Sequence, residues 1–165
     1  MCKVSKNKLN EYIEFLKIVE KRLESHNQIL TINKSIILEL LFENSEHLSA
    51  EDIIELSKIS NLNCVENDTM NKQKNKLKVT TVYRVLNTFE RFGIVDSIFV
   101  DDKKRYELSY FKQPHYHLYC QECNKISEFE SLDIHDKFLS ELKNQNFKPT
   151  NYNVIINGIC KECQS

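Results

Sequence analysis

Hydrophobic residues recur every three or four positions through the first 44 residues, a pattern that predicts amphipathic helices. One helix is predicted from residue 9 to about residue 25, and a second at residues 33–44, "NKSIILELLFEN". Ser49 with Asp52 resembles a capping box, in which the two residues satisfy each other's backbone N–H groups. This pair predicts the start of a third helix.

A fourth helix is predicted at residues 80–92, with Thr80 available as its N-cap and Gly93 as its C-terminal stop. The pattern then shifts to "IVDSIFV", the turn "DDKK" and "RYELSY", which predict a β-hairpin. The last three of these four helices, followed by a hairpin, give the order of a winged helix-turn-helix. Residues 61–78, before the fourth helix, are polar, rich in asparagine and without periodicity, so we interpret them as a long loop that an insertion would explain.

After Pro114 the pattern predicts a strand, a second strand, a helix and a final strand. The segments are "HYHLYC", "KISEFES", "LDIHDKFLSELKNQ" and "NYNVIINGIC". This β-β-α-β segment has only about 50 residues, a size at which a structural metal helps a domain to fold.

Composition limits the classes of protein to consider. The chain has 165 residues, of which 41% are hydrophobic, enough for a packed core. A formal net charge of −1 gives no bulk reason to expect nucleic acid, so DNA binding must be argued from local charge. No apolar run approaches the roughly 20 residues of a membrane helix, and the N-terminus lacks the apolar core of a secretion signal. We therefore expect a cytoplasmic protein without a membrane partner.

Four of the six cysteines form two C-x-x-C pairs, Cys120 with Cys123 and Cys160 with Cys163. Each such turn offers two sulfurs, and two turns complete the four tetrahedral ligands of a structural zinc site. Closed coordination leaves no position for a substrate. Isolated buried thiols or a disulfide are the alternatives, and a cytoplasmic location disfavours the disulfide.

His115 and His117 stand two apart on a predicted strand, so both side chains should point to the same face. They could bind one ion together, or they could be ordinary surface histidines. The other histidines, His26, His47 and His135, cannot be attached to the pair by spacing alone.

The segments "SEHLSAEDI", "TTVYRVLNTFERFGIV", "RYELS", "HYHLYCQECNKISEF" and "CKEC" resemble, in this order, the ferric uptake regulator family of bacterial metal-dependent repressors. The resemblance covers roughly residues 10 to 163. It implies an α+β fold with an N-terminal winged helix-turn-helix, here 1–112, which binds double-stranded operator DNA. A small C-terminal α/β dimerisation domain with a four-cysteine zinc site, here 113–165, would form the homodimer.

The resemblance also implies two metal sites. Structural Zn²⁺ would be bound by the four paired cysteines, Cys120, Cys123, Cys160 and Cys163. A regulatory site between the domains would use His47, Glu107, His115 and His117, with Glu128 as a further oxygen ligand. This mixed nitrogen and oxygen set suits Fe²⁺ or Mn²⁺, with Zn²⁺ binding in vitro, whereas thiolates would favour zinc. An ion bound only in the closed arrangement would shift the population toward it, so that the dimer fits a two-fold-related DNA site.

For DNA contact, the helix at 80–92 is the expected recognition element, and its N-terminus could bind phosphate. The expected DNA-binding residues lie at its start, just upstream and near the wing tip: Thr80, Thr81, Tyr83, Arg84, Lys76, Lys78 and Lys104. The alternative for the lysines is that they are solvated loop charges.

The chain departs from the family pattern at a second metal site that many members have. The aligned positions hold Pro114, Tyr116, His135 and Tyr152, of which only His135 could bind a metal, so we expect no site there. The motif "HYHLYC" is similar to the peroxide-sensing branch, but that branch favours Asp where this chain has Glu107 and Glu128.

We therefore expect an iron-dependent repressor of metal uptake genes rather than an enzyme. A peroxide sensor of the same family is the second hypothesis, and a zinc uptake regulator the third. A zinc uptake regulator usually has a cysteine in its regulatory site, and only Cys64, in the loop, could supply one. From a different class, a metal-dependent hydrolase could use an open His/Glu site to activate water. No nucleophile or general-base constellation supports it.

Overall fold

The computed structural model describes residues 6–44, 46–63, 77–109, 114–149 and 152–164. The chain divides into two compact units, Met1–Ser97 with Lys104–Tyr110, and Ile98–Lys103 with Phe111–Ser165. Helices and sheets occur in both described parts, which confirms the predicted α+β class. The domain boundary expected between residues 112 and 113 lies outside the described residues and stays a prediction.

Four helices form most of the first unit: α1 Lys6–Glu24, α2 Ile32–Glu43, α3 Ala50–Asn63 and α4 Val79–Arg91. Their apolar stripes meet in one core, and the largest fully buried side chains there include Phe15, Leu23, Ile37, Ile53, Leu86 and Phe89. All four predicted helices are therefore confirmed. Helix α3 extends three residues into the segment predicted as the loop at 61–78, and residues 64–76 of that segment, with Lys76 and Cys64, lie outside the described residues.

The first sheet has three strands, β1 Leu48–Ser49, β2 Val95–Val100 and β3 Lys103–Leu108, in the order β1-β3-β2. The predicted hairpin is β2 and β3, joined at Asp101 and Asp102, whose φ angles of 51° and 54° belong to the left-handed region. Aspartate tolerates that region, and such two-residue turns match the twist of paired strands. Strand β1, antiparallel to β3, was not predicted because a two-residue strand has no detectable periodicity.

A capping box marks the start of α3, whereas the start of α4 has no side-chain cap. The predicted capping box is confirmed: Ser49 N–H donates to Asp52 Oδ2 at 2.8 Å, and Asp52 N–H donates to Ser49 Oγ at 3.1 Å. The N-cap predicted for α4 is wrong, because the helix begins at Val79 and Lys78 is the N-cap residue. Gly93, with a φ of 60°, follows the end of α4 as predicted.

The second unit contains β4 His115–Cys120, β5 Ile126–Glu130, α5 Leu132–Asn144 and β6 Ile155–Gly158, which confirms the predicted β-β-α-β order. Its sheet has the order β5-β4-β6, with β4 antiparallel to β5 and parallel to β6. Parallel pairing places the C-terminal ends of β4 and β6 at the same edge, where Cys120 lies opposite Gly158. No helix among the described residues is both long and apolar enough to cross a membrane.

Candidate metal centres and DNA-binding face

The two C-x-x-C turns meet at one end of the second sheet. Each turn follows a strand, β4 or β6, and the parallel pairing of these strands brings the turns together. The four sulfurs of Cys120, Cys123, Cys160 and Cys163 all lie within 4.8 Å of one another. A tetrahedral zinc with bonds of about 2.3 Å requires sulfurs about 3.8 Å apart, and Cys123 Sγ lies 3.8 Å from Cys160 Sγ. The geometry of this cluster therefore fits the predicted zinc.

Backbone hydrogen bonds hold both turns. In the first turn, Asn124 N–H donates to the Cys120 carbonyl at 2.9 Å, and Asn124 adopts a φ of 59°. In the second, Cys160 precedes the 3-10 helix Lys161–Cys163, and Cys163 N–H donates to the Cys160 carbonyl at 2.9 Å. These local hydrogen bonds shape each turn around its two sulfurs.

The thiols of this cluster differ in acidity. The Cys160 N–H donates to Cys120 Sγ at 3.3 Å and, with further backbone N–H groups, lowers the pKa of Cys120 to about 6. Hydrogen bonds with the thiol groups of Cys160 and Cys123 raise the pKa of Cys163 instead. A backbone environment that favours one thiolate is suited to a cation, because the thiolate is the form that ligates metal.

The first unit holds one buried pair of the expected regulatory ligands. His47 lies just before β1 and Glu107 lies on β3. His47 Nε2 lies 3.2 Å from Glu107 Oε2, and their side chains are only 4% and 6% exposed. An imidazole and a carboxylate buried together provide one nitrogen and one oxygen donor.

The second unit holds the other expected regulatory ligands. The rings of His115 and His117 lie 4.8 Å apart, so both point to one face of β4, as predicted. Glu128 on β5 is directly opposite His117 in the antiparallel register, and their ligand atoms lie within 4.8 Å. His117 is buried and Glu128 is exposed, so this pair again combines nitrogen with oxygen.

Three of the four positions that were compared with a second metal site hold rings in this chain, Tyr116, His135 and Tyr152. Tyr152 shares a hydrogen bond with His135 Nδ1 at 2.5 Å and packs against Phe138 with ring centroids 5.3 Å apart. Tyr116 is buried and stacks on Phe129. These contacts give His135 a side-chain partner of its own.

Helix α4 turns a polar face to solvent. Thr80, Tyr83 and Arg84 are exposed, and Thr81 is half-buried. A shallow cleft of about 550 Å³ runs along this face, and its lining continues beyond the predicted residues: Val79, Thr80, Tyr83, Arg84, Asn87, Thr88 and Arg91. Sequence reasoning missed Asn87 and Arg91, although the helical spacing from Thr80 and Arg84 could have identified them.

The described lysines of the DNA-binding prediction have different surroundings. Lys78 is exposed immediately before α4. Lys104 lies on β3, where its ammonium donates to Glu90 Oε2 of α4 at 2.7 Å. An ammonium already paired with a carboxylate is less available to phosphate than that of Lys78.

Two further residues beside α4 were not predicted. Lys34 is buried in α2, and its ammonium donates to the Ile29 carbonyl at 2.8 Å. Burial lowers the pKa of Lys34, and the nearby positive charge of Arg84 lowers it further. Glu51 of α3 accepts a hydrogen bond from Tyr83. No sequence signal predicts that Glu51 meets Tyr83 or that Lys34 lies near Arg84, because the two residues of each pair are far apart along the chain.

Comparisons with known proteins agree with this architecture. The model of the ferric uptake regulator family matches residues 25–157. The ferric uptake regulation protein of Campylobacter upsaliensis is 29% identical over 155 residues, which cover 93% of this chain and 91% of the relative. The peroxide-responsive repressor PerR of Staphylococcus aureus is 25% identical over 136 residues, 82% of each chain.

Among solved structures, the ferric uptake regulator from Francisella tularensis with iron matches with a TM-score of 0.62 and 29% identity. The match covers 82% of this chain and 93% of that chain. The family match at residues 25–157 includes the first sheet, all of the second sheet except Gly158, and every candidate ligand except Cys160 and Cys163.

Proposed function

The chain belongs to the ferric uptake regulator family of metal-responsive regulators, and we propose that it is an iron-dependent repressor of metal uptake genes. It would act in the cytoplasm as a homodimer on double-stranded operator DNA. The observation that carries the proposal is the donor chemistry of the regulatory ligands, in which each imidazole and carboxylate pair combines nitrogen with oxygen. Such sets suit Fe²⁺ and Mn²⁺, whereas thiolates would favour zinc.

The proposed regulatory ligands are all imidazoles and carboxylates. His47 and Glu107 belong to the first unit, and His115, His117 and Glu128 belong to the second. Fe²⁺ or Mn²⁺ bound by these residues would favour the DNA-binding form of the protein. The chain's own contribution is to keep His47 beside Glu107 and His117 beside Glu128.

The proposed structural zinc would be held by Cys120, Cys123, Cys160 and Cys163. Support comes from the mutual distances of their sulfurs and from the low pKa of Cys120. All four ligands belong to the second unit. In a unit this small, bound zinc would supply stability that the apolar core alone does not. Loss of zinc should therefore affect this unit first.

DNA binding is proposed for the exposed face of α4. Threonine hydroxyls and helix N-terminal N–H groups can bind phosphate, which is consistent with Thr80 and Thr81 in the first turn. Tyr83 and Arg84 would reach the bases, with Lys78 as a phosphate contact and with Lys76 and Lys104 as weaker candidates. Two such helices in a homodimer would match a two-fold-related operator.

Peroxide sensing is the second candidate function. The S. aureus repressor named above is peroxide-responsive, and it is similar to this chain over 82% of its length. Glu107 and Glu128 argue against this candidate, since the peroxide-sensing branch favours Asp at these places. A zinc uptake regulator is the third candidate, and it would require a regulatory thiolate.

The hydrolase alternative has little support, because the family consists of transcriptional regulators and not of enzymes. Assays of the metal-loaded protein on ester and phosphate substrates should be negative. Hydrolysis that is lost together with His47 would instead favour the enzyme.

The proposal is tested by DNA binding under anaerobic conditions with Fe²⁺, Mn²⁺ or Zn²⁺. Duplexes selected by the protein from a random pool should be retarded with Fe²⁺ or Mn²⁺ and released by a chelator. Affinity should fall steeply with rising salt, because phosphate contacts release counterions. If no divalent ion supports binding, the repressor function is wrong.

Treatment with peroxide distinguishes the iron-dependent repressor from the peroxide sensor. The iron-loaded protein is treated with peroxide, and His47 and His115 are examined by mass spectrometry. An iron-dependent repressor should retain unmodified histidines and recover DNA binding after fresh Fe²⁺. Oxidised histidine with lasting loss of DNA binding would instead identify the peroxide sensor.

A further inference from the structure

A hydrogen bond joins the exposed face of α4 to the first turn of α3. The Tyr83 hydroxyl donates to Glu51 Oε1 at 2.7 Å, across 32 residues of sequence. Tyr83 is 39% exposed, and Glu51 is exposed as well. Surface side chains seldom hold one geometry without a reason, since ordering them costs conformational entropy.

The backbone that carries Glu51 is fixed on both sides. Ser49 and Asp52 form the capping box described above, and Ser49 Oγ also donates to Asp52 Oδ2 at 2.7 Å. Arg105 of β3 places Nη1 3.5 Å from Asp52 Oδ2 and donates to the His47 carbonyl at 3.2 Å. Glu51 is therefore presented from an anchored turn rather than from a free loop.

The protonation states of the pair support a persistent bond. The hydrogen bond from Tyr83 lowers the pKa of Glu51, and the same bond raises the pKa of Tyr83. Because the carboxylate pKa is lowered and the phenol pKa is raised, the acceptor stays charged and the donor stays protonated through neutral pH. The bond weakens as the pH falls through the lowered pKa of Glu51 or rises through the raised pKa of Tyr83.

A carboxylate on this face calls for an explanation, because it repels DNA phosphates. One explanation is local: an acidic residue in the first turn stabilises the α3 macrodipole. That explanation accounts for the charge of Glu51 but not for its bond to Tyr83. With the hydroxyl engaged by Glu51, the part of Tyr83 left for DNA is the apolar ring, which can contact the methyl group of thymine.

We propose that Glu51 is a positioning residue that holds the Tyr83 ring in the orientation in which it reads a thymine methyl group. This inference rests on the proposed DNA-binding function. Glu51 acts through Tyr83 and adds sequence specificity, at the cost of some affinity for DNA in general. An immobilised side chain costs about 0.5 to 1.5 kcal/mol on binding, so pre-ordering the ring is worth roughly 2- to 10-fold in specific affinity.

A double-mutant cycle tests the proposal on the full-length, metal-loaded protein. Specific affinity is measured on duplexes selected by the wild-type protein, and non-specific affinity on scrambled duplexes. Glu51→Ala and Tyr83→Phe should each lower the ratio of the two by roughly 2- to 10-fold. The double variant should lower the ratio no further, because both substitutions remove the same bond.

Two controls separate positioning from charge and from folding. Glu51→Gln keeps an acceptor oxygen without the charge and should restore most of the specificity. Glu55→Ala removes an exposed carboxylate one turn further along α3 and should leave the ratio unchanged. Circular dichroism should show the same helix content in all variants.

Replacing each thymine of the selected duplex in turn by uracil removes one methyl group at a time. Wild-type protein should lose affinity at one position in each half-site, and Glu51→Ala should lose that sensitivity. A double variant whose loss equals the product of the single losses, or a Glu51→Gln variant as defective as Glu51→Ala, would overturn the proposal. If wild-type protein selects no duplex with any metal, the proposed function itself fails instead.

Discussion

The cysteines of the four-sulfur cluster differ in the protonation state that their surroundings favour. Cys120 is buried at the end of β4, and backbone N–H groups favour its thiolate. Cys163 ends the 3-10 helix, and bonds to neighbouring sulfur groups favour its protonated thiol. A metal with four thiolate ligands must displace that proton, so metal binding and proton release are coupled.

Cys163→Ser should abolish stable zinc binding, because a tetrahedral site loses one of its four ligands. Zinc content, measured by plasma mass spectrometry after dialysis, should fall from about one ion per chain to a small fraction. Cys2→Ser, at a cysteine outside both C-x-x-C pairs, is the matched control and should keep its zinc. Full zinc content in the Cys163→Ser protein would contradict the assignment.

At the residue scale, sequence identified the ligand types but not their partners. The C-x-x-C spacing identified Cys120 with Cys123, and Cys160 with Cys163, as pairs of metal ligands. Nothing in the sequence apart from the family resemblance paired His47 with Glu107, which lie 60 positions apart (107 − 47). The bond between Glu51 and Tyr83 was missed for the same reason.

Helices and strands show how local signals succeed and fail. The capping box at Ser49 was predicted because both of its residues lie within one turn. Thr80 was wrongly predicted as the N-cap of α4, although threonine favours that position. Lys78 has no side-chain cap bond, so tertiary packing rather than capping propensity determines this helix start.

Ser49→Ala should lower the free energy of unfolding by about 1–2 kcal/mol, because it removes the side-chain acceptor of the α3 capping box. Ser49 is only 3% exposed, so water cannot readily replace the lost bond. Urea denaturation at constant zinc, followed by circular dichroism, measures the change. Ser140→Ala on exposed α5 is the control, with an expected effect within about 0.5 kcal/mol. Equal effects of the two substitutions would refute the structural role of the box.

At the scale of the whole molecule, the two described units differ in how they bury apolar groups. The first has a continuous core of fully buried side chains. In the second, α5 has no buried residue, and Leu118 and Ile156, neighbours across β4 and β6, are 37% and 47% exposed. Apolar side chains that stay exposed on a small sheet are consistent with a second copy of the chain covering them.

Ile156→Asp should convert the proposed homodimer to monomer, because it buries a charge in the apolar contact. Light scattering after gel filtration at micromolar concentration gives the mass directly. Phe99→Asp on β2 is the control, since Phe99 is 65% exposed but lies outside this sheet. An Ile156→Asp protein that stays dimeric at the lowest measurable concentration would place the interface elsewhere.

The sequence by itself determined the helices, the hairpin, the β-β-α-β order and the two C-x-x-C turns, because periodicity, capping and ligand spacing are local properties. It also identified the family through its motifs. Only the tertiary structure decided that β4 and β6 run parallel, that β1 joins the first sheet, and that Glu51 meets Tyr83. Such contacts join residues that are distant along the chain, and they form only when packing of the core brings their elements together.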